Sequence, residues 1–442
     1  MRKLTPVLIA VATIAVVAAA ALRLTNEQRP WTTSSEAALE EFEQGLTAEK
    51  KVYWNEAREH FARAVELDPD FAIARMKLLQ LSTKGEERAS LILDLARQTD
   101  LERLSPRERL LMQHRVAMIE RDRARADRLV DAYLAKHPED LYALTIRCDR
   151  AWMSGDLDEA ERCYTKLIRL DPNWVFAQNH LGYIRMAKGE FQLAEQAFAS
   201  YGRIAPDQAN PHDSLGELLM LTGRYGEATG QFERAVSIRS DFCASWSHLI
   251  DIALLEGDVA KAAATLARAR EAVCPPQFIE AQQCRIDLWE NLRGGGAAAA
   301  ANWTRGAACP ARNFDFVSLS VLQRAALAAG EGELARPVET SMGELAGKYD
   351  GDPIWGAVHG HLDAQRRAYE GDTAGAIAAL RRADERLSYN GDGIGLFRLY
   401  NRLVLASLLE RTGAGAEAAK LRAEVAAVNA RMAELFATVP AI

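Results

Sequence analysis

Pro138, Pro172 and Pro206 fall 34 residues apart, and Ser240 and Cys274 hold the next two places of the same register, with Pro275 one residue beyond. Proline fixes φ and has no N–H to donate, so it cannot continue a helix. At a constant interval it cuts the chain into equal lengths. Each length also repeats internally. Ala126, Ala160, Ala194, Ala228 and Ala262 share one place, and Val130, Tyr164, Phe198, Phe232 and Leu266 stand four residues later. Leu181-Gly182 aligns with Leu215-Gly216, and Gly45, Ala57, Phe61, Ala64 and Pro69 repeat the pattern near the start. Residues four apart lie one above the other on one helix face. A length of about 34 residues holds two helices and a turn but cannot bury its own apolar face, so such units must stack. The chain is therefore expected to be all-α, built of paired helices.

The Leu-Gly, Ala-x-x-x-Phe and Pro positions resemble those of the tetratricopeptide repeat. The resemblance covers residues 36–275 and implies a right-handed α-α superhelix. Segments such as Ala57–Ala74 and Ala194–Leu221 also look like the repeat regions of bacterial membrane-tethered regulators, which implies an interaction or sensory module. In that family, positions two, five, nine and twelve of each first helix line a concave groove. The groove implied here contains Tyr142, Asp149, Trp152, Phe176, Asn179, Tyr183, Asp213, Glu217 and Asp251. Its acids and aromatics suit a basic or N-terminal segment of a partner protein. The pattern departs from the family at His114, Cys148 and Ile250, which stand where a first helix usually has Gly, and it degenerates over residues 72–106. Beyond residue 275, Gly371-Asp372 and Gly413 sit where Gly223-Arg224 does in the clear repeats, so residues 276–442 read as divergent helical repeats. Gly294 to Gly296 reads as a linker among them. The expected organisation is a leader over 1–30, repeats over 31–275 and divergent repeats over 276–442.

The leader is set apart by composition. Arg2 and Lys3 precede an apolar run from Pro6 to Leu22, closed by Arg23. Seventeen residues span roughly 25 Å, slightly less than the ~30 Å hydrocarbon core of a bilayer. Two readings lead, a signal-anchor or a signal peptide cleaved near Ala18 to Ala21, with a buried soluble helix as the third. Both leading readings export the rest of the chain, because the positive charges hold the N-terminus inside. The expected location is the bacterial inner membrane, single-pass with the C-terminal region periplasmic, or the periplasm after cleavage.

Six cysteines acquire meaning in that setting. Cys243 begins a first helix and Cys274 ends its partner helix. Cys148 faces Cys163 across one helix pair, and Cys284 and Cys309 flank one divergent pair. This local pairing needs the least distortion of the candidate disulfide sets, with small buried hydrophobes as the plain alternative. No constellation for catalysis, cofactor or metal emerges. A net charge of −7 without a basic block excludes a nucleic-acid footprint. Gly294 to Gly296 lacks the Lys of a phosphate loop, and His359 and His361 are two apart, on nearly opposite helix faces. The function expected is a non-enzymatic protein-binding scaffold. The alternatives are an enzyme using Trp303, Trp355, His359, His361 and Asp363, or a structural assembly factor of an envelope complex.

Overall fold

The structure, a computed structural model, describes residues 30–306, 309, 315–348, 353–391 and 393–437. The apolar run from Pro6 to Leu22, and the readings placed on it, lie outside the described residues. Among the described residues there are 22 α-helices and no strand. The chain divides between Ala177 and Gln178 into two compact units, each of which is described by itself.

The first unit pairs α1 (Glu36–Lys50) with α2 (Trp54–Leu67), α3 (Ala72–Ser82) with α4 (Gly85–Gln98), α5 (Pro106–Ile119) with α6 (Arg123–Leu134), and α7 (Leu141–Met153) with α8 (Leu157–Leu170). Aspartates begin several of these helices. Asp122, Asp140 and Asp156 each accept a hydrogen bond from the backbone N–H three residues on, which satisfies a donor the first helical turn cannot. The turn inside a pair needs positive φ, supplied by Gly155 at 80°. Val52 and Arg121 take the same turn at 64° and 60°, an uncommon conformation for a branched side chain. The degenerate stretch 72–106 still forms a helix pair, but α4 buries only Ile92 and Leu95.

The spacing of Gly and Phe becomes a contact. A Cβ on Gly45 would lie 2.6 Å from the ring of Phe61, so the first helix must be bare there for the aromatic to fit. In the second unit the same holds for Gly182 against Phe198 at 2.4 Å and for Gly216 against Phe232 at 2.5 Å. The repeat that carries Cys148 in place of Gly has a covalent solution instead. Cys148 is bonded to Cys163, next to Tyr164 at the aromatic position.

The second unit continues from α9 (Val175–Ala187) through α10 (Phe191–Ile204), α11 (Asn210–Leu221), α12 (Tyr225–Ile238), α13 (Cys243–Glu256) and α14 (Val259–Glu271). Next come α15 (Pro276–Gly306), α16 (Phe316–Ala328), α17 (Gly332–Lys348), α18 (Pro353–Tyr369), α19 (Thr373–Arg386), α20 (Ile394–Arg411), α21 (Gly415–Asn429) and α22 (Arg431–Ala437). One local detail differs from the sequence reading. The Gly triplet expected as a linker is largely helical, and the chain breaks only at Gly296, with φ 66° and ψ −156°. The last two helices meet at Ala430. Residues from Met186 to Phe436 share one hydrophobic core, so no packing boundary falls at residue 275.

The end of the unit also returns to α11, the third of its helices. Asn429 donates from its amide to the carbonyls of Met220 (3.3 Å) and Leu221 (3.1 Å), the last residues of α11, and to the Tyr225 hydroxyl (3.2 Å). The Met220 carbonyl also accepts from Gly223 N at 3.1 Å, so the side chain adds a further cap to the end of α11 from over 200 residues away. Arg431 pairs with Glu256 at 3.1 Å and lies over the Tyr225 ring. Tyr389 meets Phe191 edge-on at 5.4 Å, and α20 is buried on nearly all sides.

Candidate functional site

In the first unit the inner face is built on an aromatic ladder. Trp31 lies edge-on to Tyr142 at 5.6 Å, and Tyr142 lies edge-on to Trp174 at 5.4 Å. Cations cover both steps: Arg107 stands over Trp31 and Tyr142, and the Lys50 ammonium lies 4.6 Å from the Trp174 centroid. Burial lowers the Lys50 pKa, and Asp171 and Glu49 oppose that shift. Trp31 is fixed by its neighbours in an extended strap. Ser105 Oγ donates to the Pro30 carbonyl at 3.2 Å, Thr32 N donates to Glu108 Oε1 at 2.8 Å, and Ser105 N donates to Thr32 Oγ1 at 3.0 Å. Tyr142 of the implied groove is thus packed against the chain's own N-terminal strap. Asp149 accepts a hydrogen bond from the Tyr164 hydroxyl, whose pKa is raised by burial and then by that carboxylate. Trp152 and Phe176 are half-buried, and Met153 at the end of α7 is 70% exposed.

In the second unit the implied groove residues meet, but under cover. Asp213 and Glu217 on α11 are 6% and 4% exposed. His248 on α13 stands between them, with Nε2 4.0 Å from Asp213 Oδ2 and 3.5 Å from Glu217 Oε1. Its Nδ1 lies 3.5 Å from Asp251 Oδ2, too far for a good hydrogen bond. The outer oxygens of both acids are held. Ser245 donates to Asp213 Oδ1 at 2.5 Å, and the Tyr183 hydroxyl donates to Glu217 Oε2. Arg285 on α15 pairs with Asp251 and, at 2.8 Å, with Asp315. Burial alone would neutralise His248, but Asp213, Asp251 and Glu217 outweigh it and hold its pKa up to about 10. Burial likewise opposes ionisation of Asp251, yet Arg285 and His248 keep its pKa lowered. The lid over this cluster is Gly391, where a Cβ would lie 2.8 Å from Glu217 Oε2 and from the Tyr183 ring. Asn179 is half-buried, and its amide oxygen has no hydrogen-bond partner.

The tetratricopeptide repeat family model matches residues 153–173, across the end of α7 and all of α8. That match places a tetratricopeptide repeat at residues 153–173, and the Gly–Phe contacts recur elsewhere among the described residues with one common separation. Solved structures of similar fold include the Cut9–Hcn1 hetero-tetramer of the APC/C, at 14% identity over 90% of this chain and 75% of that one, with a TM-score of 0.45. Yeast Tom70 is 15% identical over 91% of this chain and 94% of its own, at a TM-score of 0.42. The type IV pilus biogenesis factor PilW is 14% identical over 49% of this chain and 91% of its own, at 0.36. Scores this low carry over nothing about partners. No curated protein matches the sequence.

All three local cysteine pairs are bonded: Cys148–Cys163, Cys243–Cys274 and Cys284–Cys309. Each staples neighbouring parts of the tetratricopeptide array. What the sequence reading missed are the cations. His248 was legible as the counterpart of His180, but its role depends on the acids stacked around it, and Arg285 lies beyond the clear register.

The residues considered for an enzyme do not converge. His361 is fully buried while His359 on the same helix is exposed, Asp363 pairs with Arg367 at 2.7 Å, and Trp355 packs on Phe316. Trp303 is outside the residues whose side chains are described. His361 Nε2 is 2.6 Å from Ser320 Oγ, and Nδ1 is 2.8 Å from Asn401 Oδ1. Asn401 donates its amide to the Leu380 carbonyl, which turns its oxygen toward Nδ1–H and leaves Nε2 to accept. Ser320 and His361 have no exposed surface, so in this packing no substrate reaches the hydroxyl. Burial pushes the His361 pKa down to about 4; Asn401 resists and Arg324 adds to the lowering. The sign follows. An unfolded chain takes the proton near pH 6.5 and the folded one near 4, so this contribution is intact above 6.5 and lost as pH falls through that window. At pH 4.5 the loss is about 2–3 kcal/mol at ~1.4 kcal/mol per unit. Urea unfolding at pH 7 and 4.5 checks it: a His361→Gln variant should be less stable at pH 7 but lose correspondingly less on acidification. Equal losses would mean that the imidazole is not held neutral.

Proposed function

We propose that the chain is an exported protein-binding scaffold, held at the inner membrane by its leader and facing the periplasm, whose partner docks on the inner face of the first unit. The observation that carries this is the contrast between the two inner faces. In the second, Tyr183 and Glu217 lie under Gly391. In the first, α7 ends with Trp152 half-buried and Met153 at 70% exposure, in the unit that also presents Phe176. The three disulfides support export, since such bonds persist in oxidising compartments. Cleavage of the leader would leave the compartment the same and only release the tether. A basic segment fits Asp149, but burial of Asp213 and Glu217 removes the middle of the acidic lane, so apolar anchoring outweighs charge.

A photo-crosslinking residue at Trp152 in living cells should capture the partner, and the same residue at exposed Leu193 of the second unit should not. With the captured protein purified, Trp152→Ala is expected to weaken binding at least tenfold, or ~1.4 kcal/mol, mainly through faster release. Unchanged affinity would place the binding surface elsewhere. A C-terminal reporter active only in the cytoplasm would overturn the export reading separately.

A further inference from the structure

We propose that Asp213, Glu217 and His248 form a divalent transition-metal site, suited to Zn2+, that ties α11 to α13. The spacing is the first argument. Charge-assisted N–H···O bonds close to about 2.7–2.9 Å, whereas His248 Nε2 stands 3.5 and 4.0 Å from the two carboxylate oxygens. That is loose for an ion pair. Tetrahedral ligands at ~2.1 Å from zinc lie roughly 3.4 Å from one another, so Glu217 already stands at that distance and Asp213 needs to close by about half an ångström. One atom from each of the three residues lies within 4.8 Å of the others, and all three residues are buried.

The second argument is the state of His248 itself. It is only 8% exposed, its Nδ1 has no hydrogen-bond partner, and its Nε2 is aimed between the two acids. A buried ring nitrogen without a hydrogen bond costs stability unless something else draws the ring into place.

The third is the surrounding shell. Metal-bound histidines usually turn their other nitrogen to a carboxylate, and ligating carboxylates are themselves hydrogen-bonded. Here Asp251 faces Nδ1 and is fixed by Arg285, while Ser245 and Tyr183 hold the outer oxygens of Asp213 and Glu217. Each ligand is thus oriented from behind with one atom turned inward. Two carboxylates and one imidazole give a neutral first shell with Zn2+, and the fourth position is left to water. The imidazole must give up its proton to coordinate, so zinc binding should strengthen with rising pH and is measured at both pH 8 and pH 9.

The test uses the full chain, without a polyhistidine tag, stripped with a chelator, reloaded with ZnCl2 and desalted. The expected result is about one zinc per chain by mass spectrometry, with MnCl2 retained more weakly. His248→Gln and Glu217→Gln should each lower zinc affinity at least 100-fold, and Ser245→Ala about tenfold, the usual effect of a supporting group. Glu385→Gln, an exposed acid on α19, should leave zinc affinity unchanged. Stripped wild-type protein that is folded by circular dichroism and retains no zinc overturns the proposal, whatever the variants do. Zinc held equally well by a folded His248→Gln variant overturns it too, since the metal would then lie elsewhere.

Discussion

Phe198→Ala is expected to destabilise the second unit by roughly 3–5 kcal/mol, the range for removing a buried aromatic ring. Phe198 is fully buried, and its ring fills the space that Gly182 leaves by having no side chain. Two bare backbones cannot close over that gap, because the helix spacing is set by the repeats on either side. Losses in an array pass to neighbouring repeats. Hydrogen exchange should therefore speed up in α11 and α12 as well as in α9 and α10. Gly182→Ala tests the same contact from the other side. Its Cβ would meet the ring at 2.4 Å, so it should be costly with Phe198 present and better tolerated beside Phe198→Leu. Additive effects in that pair would mean the two residues do not touch.

Reduction of the three disulfides should be the other large loss. Each bridge restrains the unfolded chain, with separations of 15, 31 and 25 residues, and loops of this size contribute about 3 kcal/mol apiece. One bridge lies in the first unit and two in the second, so dithiothreitol should weaken the second more. Urea titration with exchange followed peptide by peptide separates the units. Non-reducing peptide mapping of protein from an oxidising compartment should recover these three pairs. Free thiols at all six positions would remove the main support for export.

How far the sequence reached depended on the range of each contact. The Gly–Phe contacts and the cysteine pairs act within one helix pair, so a 34-residue register reports them directly. The same register places Asp213, Glu217 and Asp251 on successive first helices. It says nothing about what covers them. Gly391 over Glu217, and Asn429 on the end of α11, join residues far apart in the chain with no periodic signal to announce them. Trp31 was hidden for a related reason. A short irregular strap has no period, and its anchors Ser105 and Glu108 lie at the end of the stretch where the repeat pattern degenerates.

Solenoids commonly evolve by copying or losing a unit, since a new repeat needs only two neighbours to accept it. The second unit is not free to do so. Asn429 must reach the end of α11 and Arg431 must reach Glu256, so every helix between them has a fixed share of the path. One extra hairpin would carry α21 past its seat and take the Asn429 amide away from the end of α11. Repeat number there behaves like strand number in a closed barrel: it belongs to the architecture and cannot drift. The first unit is tied in a looser way, with Lys50 at the end of α1 lying over the Trp174 ring just past α8.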